Sequence, residues 1–147
     1  MKNLMTMVST FMLFMACNPD QGGAYEKLVD VHNKAIEVHD ELMLQMDNIY
    51  NYRQKVQKAV DSLAQNEGDH DTRLLKGREV IQHLQKADEE MMSWMNHHTM
   101  VPDSLESAAD SVVIRVTKEQ QKQYEGILMV DSLMKSSIAE AQSFLEN

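Results

Sequence analysis

The chain has 147 residues, of which 23 are acidic and 14 basic, and a formal net charge of −9 with the histidines neutral. This length is typical of one domain whose core needs neither disulfides nor a structural metal. The acidic composition offers no basic stripe to neutralise phosphates, which excludes nucleic acid as a partner, and anionic lipid head groups would repel it as well.

The chain begins with a pattern typical of a bacterial lipoprotein signal. Lys2 precedes an apolar run from Leu4 to Ala16, which suits the translocon and is shorter than the roughly 20 residues that span a bilayer. The run ends in Phe14-Met15-Ala16-Cys17, and Cys17 is the only cysteine. We therefore predict that residues 1–16 are a cleaved signal and that Cys17 is acylated, for example with palmitate. An ordinary secretory signal is the alternative, but it would leave an unpaired thiol in an oxidising compartment.

Residues 17–24 are predicted to be the lipidated cysteine and a flexible tether. The segment from Asn18 to Gly23 reads Asn-Pro-Asp-Gln-Gly-Gly, a proline- and glycine-rich composition typical of a flexible linker. The expected location is the cell envelope, on a bacterial membrane. We favour the outer membrane over the inner membrane and leave open whether the domain faces the periplasm or the cell surface.

Residues 25–147 are predicted to form a helical bundle. Helix one is expected over 25–65, with a heptad seam that packs against long neighbouring helices, and is expected to end near Gly68. Its seam residues are Leu28, His32, Ala35, His39, Leu42, Met46, Ile49, Arg53, Val56, Val60 and Leu63.

Helix two is expected over 71–98, followed by a turn from Thr99 to Pro102. Its seam residues are Leu74, Gly77, Ile81, Leu84, Asp88, Met91, Met95 and His98. At its end, the negative pole of the helix dipole is expected to favour an imidazolium at His97 and His98.

Helix three is expected to start at a capping box formed by Asp103 and Glu106 and to run to Leu145. Its seam is weak between Thr117 and Gln123. The seam residues are Leu105, Ala109, Val112, Val116, Gln123, Ile127, Val130, Met134 and Ala141. The predicted fold class is all-α, an antiparallel bundle of three long helices, or of four elements if the last helix is broken.

Two segments resemble signatures of a known group of proteins. The first runs from His39 to Met46, with the sequence His-Asp-Glu-Leu-Met-Leu-Gln-Met, and the second from Ala87 to Met95, with the sequence Ala-Asp-Glu-Glu-Met-Met-Ser-Trp-Met. Together with the signal, they resemble small bacterial helical lipoproteins often labelled viral A-type inclusion proteins. Leu44 stands where the first signature would have a proline. The resemblance implies a lipid-anchored helical bundle and no established activity.

A cluster of histidine, methionine and acidic residues is expected where helices one and two face each other. In an antiparallel pair, residues equidistant from the connection meet, so positions 39 and 46 lie opposite the region of roughly 90 to 98. Soft thioethers favour Cu(I), and imidazole accepts either oxidation state of copper. The candidate ligands are His39, Met43, Met46, Met91, Met95 and His98.

The same residues have a structural interpretation, which we favour. Methionine fills irregular bundle cores, and a buried Asp88 paired with a histidine or a backbone donor would fix the helix register. Arg53 is expected to pair with an acidic group or to reach solvent. Asp88 and Arg53 are thus predicted as polar residues of the core. Trp94 is expected at a helix edge, where an exposed indole would mark a docking surface.

We expect no enzymatic activity, since the chain carries no recognisable nucleophile motif or phosphate-binding loop. The sequence predicts a lipid-anchored interaction or structural module that binds a protein of the envelope and needs no cofactor beyond its covalent lipid. The alternative is a lipoprotein that binds copper or another metal through the cluster between helices one and two.

Overall fold

The computed structural model describes residues 23–66 and 72–146. It contains α1 (Ala24–Met43), α2 (Met46–Asn66), α3 (Thr72–His97), a 3₁₀ helix (Asp103–Ser107) and α4 (Asp110–Glu146). These two stretches contain no strand, and α1 and α2 together form one long bent helix, so the predicted all-α bundle of three long helices is confirmed. The signal, Cys17, most of the tether and the connection at 67–71 lie outside the described residues.

The helices pack around one apolar core. The first long helix and α4 run in the same direction, and α3 runs antiparallel to both. Every residue of the seam predicted for helix one is buried or half-buried. The buried core residues are Ala35, Leu42, Ile49, Val56, Val60, Leu74, Val80, Leu84, Ala87, Met91, Ile127, Val130, Met134, Ala141 and Phe144. No helix in the described part of the chain is long and apolar enough to cross a bilayer.

The continuous first helix expected from the sequence is interrupted after Met43. The N–H of Gln45 donates to the carbonyl of Leu42 at 2.8 Å, three residues back instead of four, and the regular ladder resumes when Ile49 N–H donates to the Gln45 carbonyl at 3.1 Å. This short turn leaves the side chain of Leu44 79% exposed, while Leu42 is buried. The turn also changes the helix's partners: α1 packs along α4, whereas α2 packs against both α3 and α4.

The connection between α3 and α4 differs from the predicted capping box. Asp103 lies inside the 3₁₀ helix, whose first position follows Pro102, and no side chain caps it. Backbone bonds close the turn instead, from Leu105 N–H to the Pro102 carbonyl and from Ala108 N–H to the Leu105 carbonyl, both at 3.1 Å. The helix proper therefore begins at Asp110 and runs unbroken through the weak stretch. The sequence allowed for a break in the third long helix, whereas the structure has its break in the first, between α1 and α2.

Gly77 lies in α3 where α2 and α4 come closest to it. A Cβ atom at this position would overlap Cγ2 of Val60 and lie 2.7 Å from Cζ of Phe144. Gly126 in α4 is less crowded, because a Cβ there would lie 3.4 Å from Cδ1 of Trp94. The close packing of three helices thus depends on the missing side chain of Gly77.

We expect Gly77→Ala to lower the free energy of unfolding by about 1–3 kcal/mol, because the strain of overpacking outweighs the better helix propensity of alanine. Gly126→Ala is the matched control, and we expect it to leave stability unchanged or to raise it. Urea unfolding of the purified full chain, followed by circular dichroism, measures both. Equal effects of the two substitutions would contradict the packing at Gly77.

Candidate functional site

Four rings fill the space between α1 and α3. The backbone of α1 scarcely approaches that of α3. The contact is made by His32 and His39 of α1, Trp94 of α3, and His98, which follows α3. The ring centroids of His32 and His98 are 5.2 Å apart, those of His98 and Trp94 4.5 Å, and those of Trp94 and His39 5.4 Å, with interplanar angles between 17° and 26°. These four side chains are named the ring column.

Helical spacing explains how the rings meet. His32 and His39 are seven residues apart and share one face of α1, while Trp94 and His98 are four apart at the end of α3. The two helices are antiparallel, so the earlier histidine of α1 meets the later ring of α3. His32 accordingly stacks on His98, and His39 stacks on Trp94.

Gln120 of α4 holds one end of the ring column. Its amide nitrogen donates to the carbonyl of Thr99 at 2.8 Å, which turns its amide oxygen toward Nδ1 of His32 at 3.1 Å. Nδ1 of His32 must then carry the proton and donate. Gln120 is 1% exposed and His32 is 8% exposed. One buried amide thus ties α1, α4 and the turn after α3 together.

Gln123 supports the other side of the same turn. Its amide nitrogen donates to Oγ1 of Thr99 at 3.0 Å, and its amide oxygen accepts from the Thr99 N–H at 3.1 Å. Its backbone carbonyl accepts the indole N–H of Trp94 at 2.8 Å. The polar stretch that weakened the predicted seam of the last helix therefore supplies the hydrogen bonds of the ring column.

His98 is the one histidine of the ring column whose ring nitrogens make no hydrogen bond. The Nδ1–H of His39 donates to Oδ1 of Asp40 at 2.9 Å, whereas both ring nitrogens of His98 are shielded from solvent and have no partner. A neutral imidazole carries one N–H, and leaving such a group buried and unpaired costs about 1–3 kcal/mol. His98 is therefore the ring of the column whose burial costs the most free energy.

Burial lowers the pKa of His98 below its ordinary value of 6.5, and positive charge on His32 and His39 lowers the pKa further. The Gln123 amide lies beside the ring without a hydrogen bond of good geometry and offsets part of this effect. The shift is opposite in direction to the imidazolium predicted at His98, because desolvation disfavours the charged ring. At His97, Nδ1 bonds the Ser93 carbonyl at 2.7 Å, as expected for a ring near a helix C-terminus.

The six candidate metal ligands lie in different environments. Met91 is completely buried in the core, Met43 is 43% exposed, and Met46 and Met95 are half-buried against the core. His39 and His98 belong to the ring column, with the Trp94 ring stacked on each of them. No group of three or more histidine, cysteine or acidic side chains within 23–66 and 72–146 could hold a metal ion. The copper site stays a prediction of the sequence, and the geometry assigns none of the six as a ligand.

Asp88 and Arg53 pair with each other. Nη1 of Arg53 lies 3.5 Å from Oδ2 of Asp88, and the two side chains are 28% and 35% exposed. The pair joins α2 to α3 at the edge of the core, so Asp88 takes a guanidinium partner where a histidine or a backbone donor was expected. Half-exposed pairs of this kind contribute at most about 1 kcal/mol.

An open groove of about 450 Å³ runs between α3 and α4 beside the ring column. The indole of Trp94 lies against α4 at Gly126, where a Cβ atom would be 3.4 Å from Cδ1 of the indole. Met129 lines the groove with 69% of its side chain exposed. This surface is named the Trp94 groove; its apolar residues are Trp94, Gly126, Met129, Val130 and Leu133, and its polar residues are Lys86, Glu90, Ser93 and His97.

No protein-family model matches the chain, and no curated protein or solved structure matches it either. The resemblance to small helical lipoproteins stays a prediction, as does the expected lack of enzymatic activity.

We expect Met91→Ala to lower the free energy of unfolding by about 2–5 kcal/mol, as other large-to-small changes in a core do. Met46→Ala should cost less, because Met46 is only half-buried. The control is Met92→Ala, at a side chain that is 48% exposed, and its effect should stay within about 0.5 kcal/mol. Urea unfolding ranks the three variants, and a Met91→Ala variant as stable as Met92→Ala would contradict the core position of Met91.

Proposed function

We propose that this chain is a lipid-anchored interaction module of a bacterial envelope. In this proposal, the acylated thiol of Cys17 holds the bundle at a membrane, and the Trp94 groove binds a segment of another envelope protein. The bundle acts by binding and has no catalytic role.

The signal pattern supports the anchor. A cationic start, a short apolar run and one cysteine after a small residue are found together at the beginning of the chain. Each buried methylene contributes about 0.8 kcal/mol, so several acyl chains on one residue exceed the marginal hold of a single chain. The lipid alone must supply the attraction, since the acidic chain would be repelled by anionic head groups.

The observation that carries the binding proposal is the exposed apolar surface of the Trp94 groove. Met129 is 69% exposed beside a half-buried tryptophan. A concave apolar surface with an aromatic side chain and a polar rim is typical of a site that takes an apolar anchor from a partner. An amphipathic helix laid into such a groove would contact both α3 and α4.

The charge of the chain favours a basic partner. Removal of residues 1–16 takes away one cation, Lys2, and would change the net charge from −9 to −10. Lys86 and Glu90, which line the groove, largely neutralise each other, because their charged atoms are 3.5 Å apart. Complementary charge mainly steers encounter and specificity. We therefore propose a partner segment with an apolar side chain flanked by Lys or Arg.

The anchor predicts the mass of the native protein. Chain extracted from membranes of the native host should lack its first sixteen residues and carry the added mass of acyl chains on Cys17. Cys17→Ser should lose that mass and keep the signal attached or leave the membrane. Intact-mass spectrometry of both proteins tests this prediction. An unmodified thiol at Cys17 in the native product would contradict the proposed lipid anchor.

The groove predicts a position-dependent crosslink. A photo-crosslinking residue at position 129 should capture one basic envelope protein. The matched control is position 100, whose methionine is 70% exposed but lies in the connection after α3. The same protein should not be captured from position 100, and Met129→Asp should abolish co-purification while Met100→Asp retains it. Equal capture from both positions would contradict the proposal that the partner binds at the Trp94 groove, and it would not bear on the proposed lipid anchor.

A further inference from the structure

The ring column forms the side-chain contact between α1 and the end of α3 while the two backbones stay apart. Three of its four rings are imidazoles, and histidine is the side-chain type that proteins most often use as a switch near neutral pH. A contact of this kind responds to acidity, whereas the aliphatic packing of α2 against α3 does not.

His98 is the member least suited to accept a proton. Protonation gives it two N–H donors, but both nitrogens are shielded from solvent and neither makes a hydrogen bond of good geometry, so the Gln123 amide beside the ring offsets only part of the cost. His32 stacks on it at 5.2 Å, so protonation of both rings would place like charges together. The indole of Trp94 stacks on it at 4.5 Å and favours a cation weakly. Desolvation and the neighbouring imidazoles of His32 and His39 lower the pKa of His98.

The groups around His98 offer no strong compensation. From α1, it faces His32 and His39, and the carboxylate of Asp40 is bonded to His39 on the other side of the indole. From α4, it faces the uncharged amide of Gln123. From α3, it faces Trp94, while the neighbouring His97 bonds the Ser93 carbonyl.

We propose that the ring column is a pH-sensitive latch, in which protonation of His98 in mildly acidic solution separates α1 from α3 while α2, α3 and α4 stay packed together. The latch depends neither on the identity of a partner nor on the lipid anchor.

The direction of the effect follows from linkage. Burial lowers the pKa of His98 in the closed bundle, so the open form binds the proton first. The closed form therefore keeps its full stability above the ordinary pKa of 6.5 and loses it as the pH falls from 6.5 toward the lowered value. Within this window, each pH unit shifts the equilibrium about tenfold toward the open form for one proton.

Trp94 reports the state of the latch directly, since it is the only tryptophan of the chain. The experiment records its emission maximum and its quenching by acrylamide, with the full chain in a mild detergent, between about pH 7.5 and 5. We expect a reversible red shift and stronger quenching at the acidic end, with the helical circular dichroism retained. His98→Phe keeps a ring for stacking and should abolish the transition. The matched control, His97→Gln, should keep it.

An unchanged emission maximum and unchanged acrylamide quenching across this range would overturn the latch, as would a transition that persists in His98→Phe. Loss of intensity without greater acrylamide access would also overturn it, because the proton would then bind in the closed form. If His98→Phe does not fold, titration of the histidine ring protons by NMR in the unsubstituted chain decides. A His98 pKa at or above 6.5 counts against the latch, and a lower pKa that coincides with the Trp94 change supports it.

Discussion

The N–H of Gln45 reaches the carbonyl of Leu42, and through this one short turn a single long helix serves two different partners. Before the turn, α1 follows α4; after it, α2 packs into the angle between α3 and α4. The change of partners coincides with the turn, so the bend brings α2 toward α3 while α1 stays on α4. The turn therefore decides where the bundle is filled by aliphatic side chains and where it must be filled by larger ones.

The gap that results between α1 and α3 is filled by the four rings of the ring column. Their ring nitrogens are polar and need hydrogen-bond partners when they are buried. Gln120 and Gln123 supply them on the α4 side, and Thr99 links the two amides. A buried polar network rigidifies a structure when each member is satisfied and costs stability where one is not. His98 is the exception in this network, so the same arrangement that orders the end of the bundle also concentrates its strain at one imidazole.

The heptad spacing of the apolar residues was sufficient to predict the three long helices and the buried face of the first, because periodicity reports which side of a helix is apolar. It does not report where a helix changes direction. Met43 and Leu44 are good helix formers, so local propensity gives no warning of the turn. The one hint was the resemblance, whose first signature would have a proline, a residue that interrupts helices, at the position of Leu44.

The candidate site was predicted in part. The spacing argument placed His39 opposite the region of roughly 90 to 98. In the structure His39 stacks on Trp94, and His98 stacks on His32. Gln120 was missed, although it stands seven residues after Val113 and seven before Ile127, a heptad whose members are all buried. It was missed because a glutamine is not counted when a heptad pattern is traced through apolar residues. The burial of the His98 ring nitrogens without a hydrogen bond depends on the tertiary packing, which residue spacing does not predict.

The length of α4 has a consequence for how the domain comes apart. Its 37 residues extend about 55 Å as one uninterrupted rod that packs against α1, α2 and α3. With α4 as a common frame, α2, α3 and α4 contribute most of the buried core cluster, to which α1 adds Ala35 and Leu42. Because α1 contributes so few residues to that cluster, we expect local unfolding of α1, as an N-terminal arm, to need less free energy than unfolding of the three helices on which it rests.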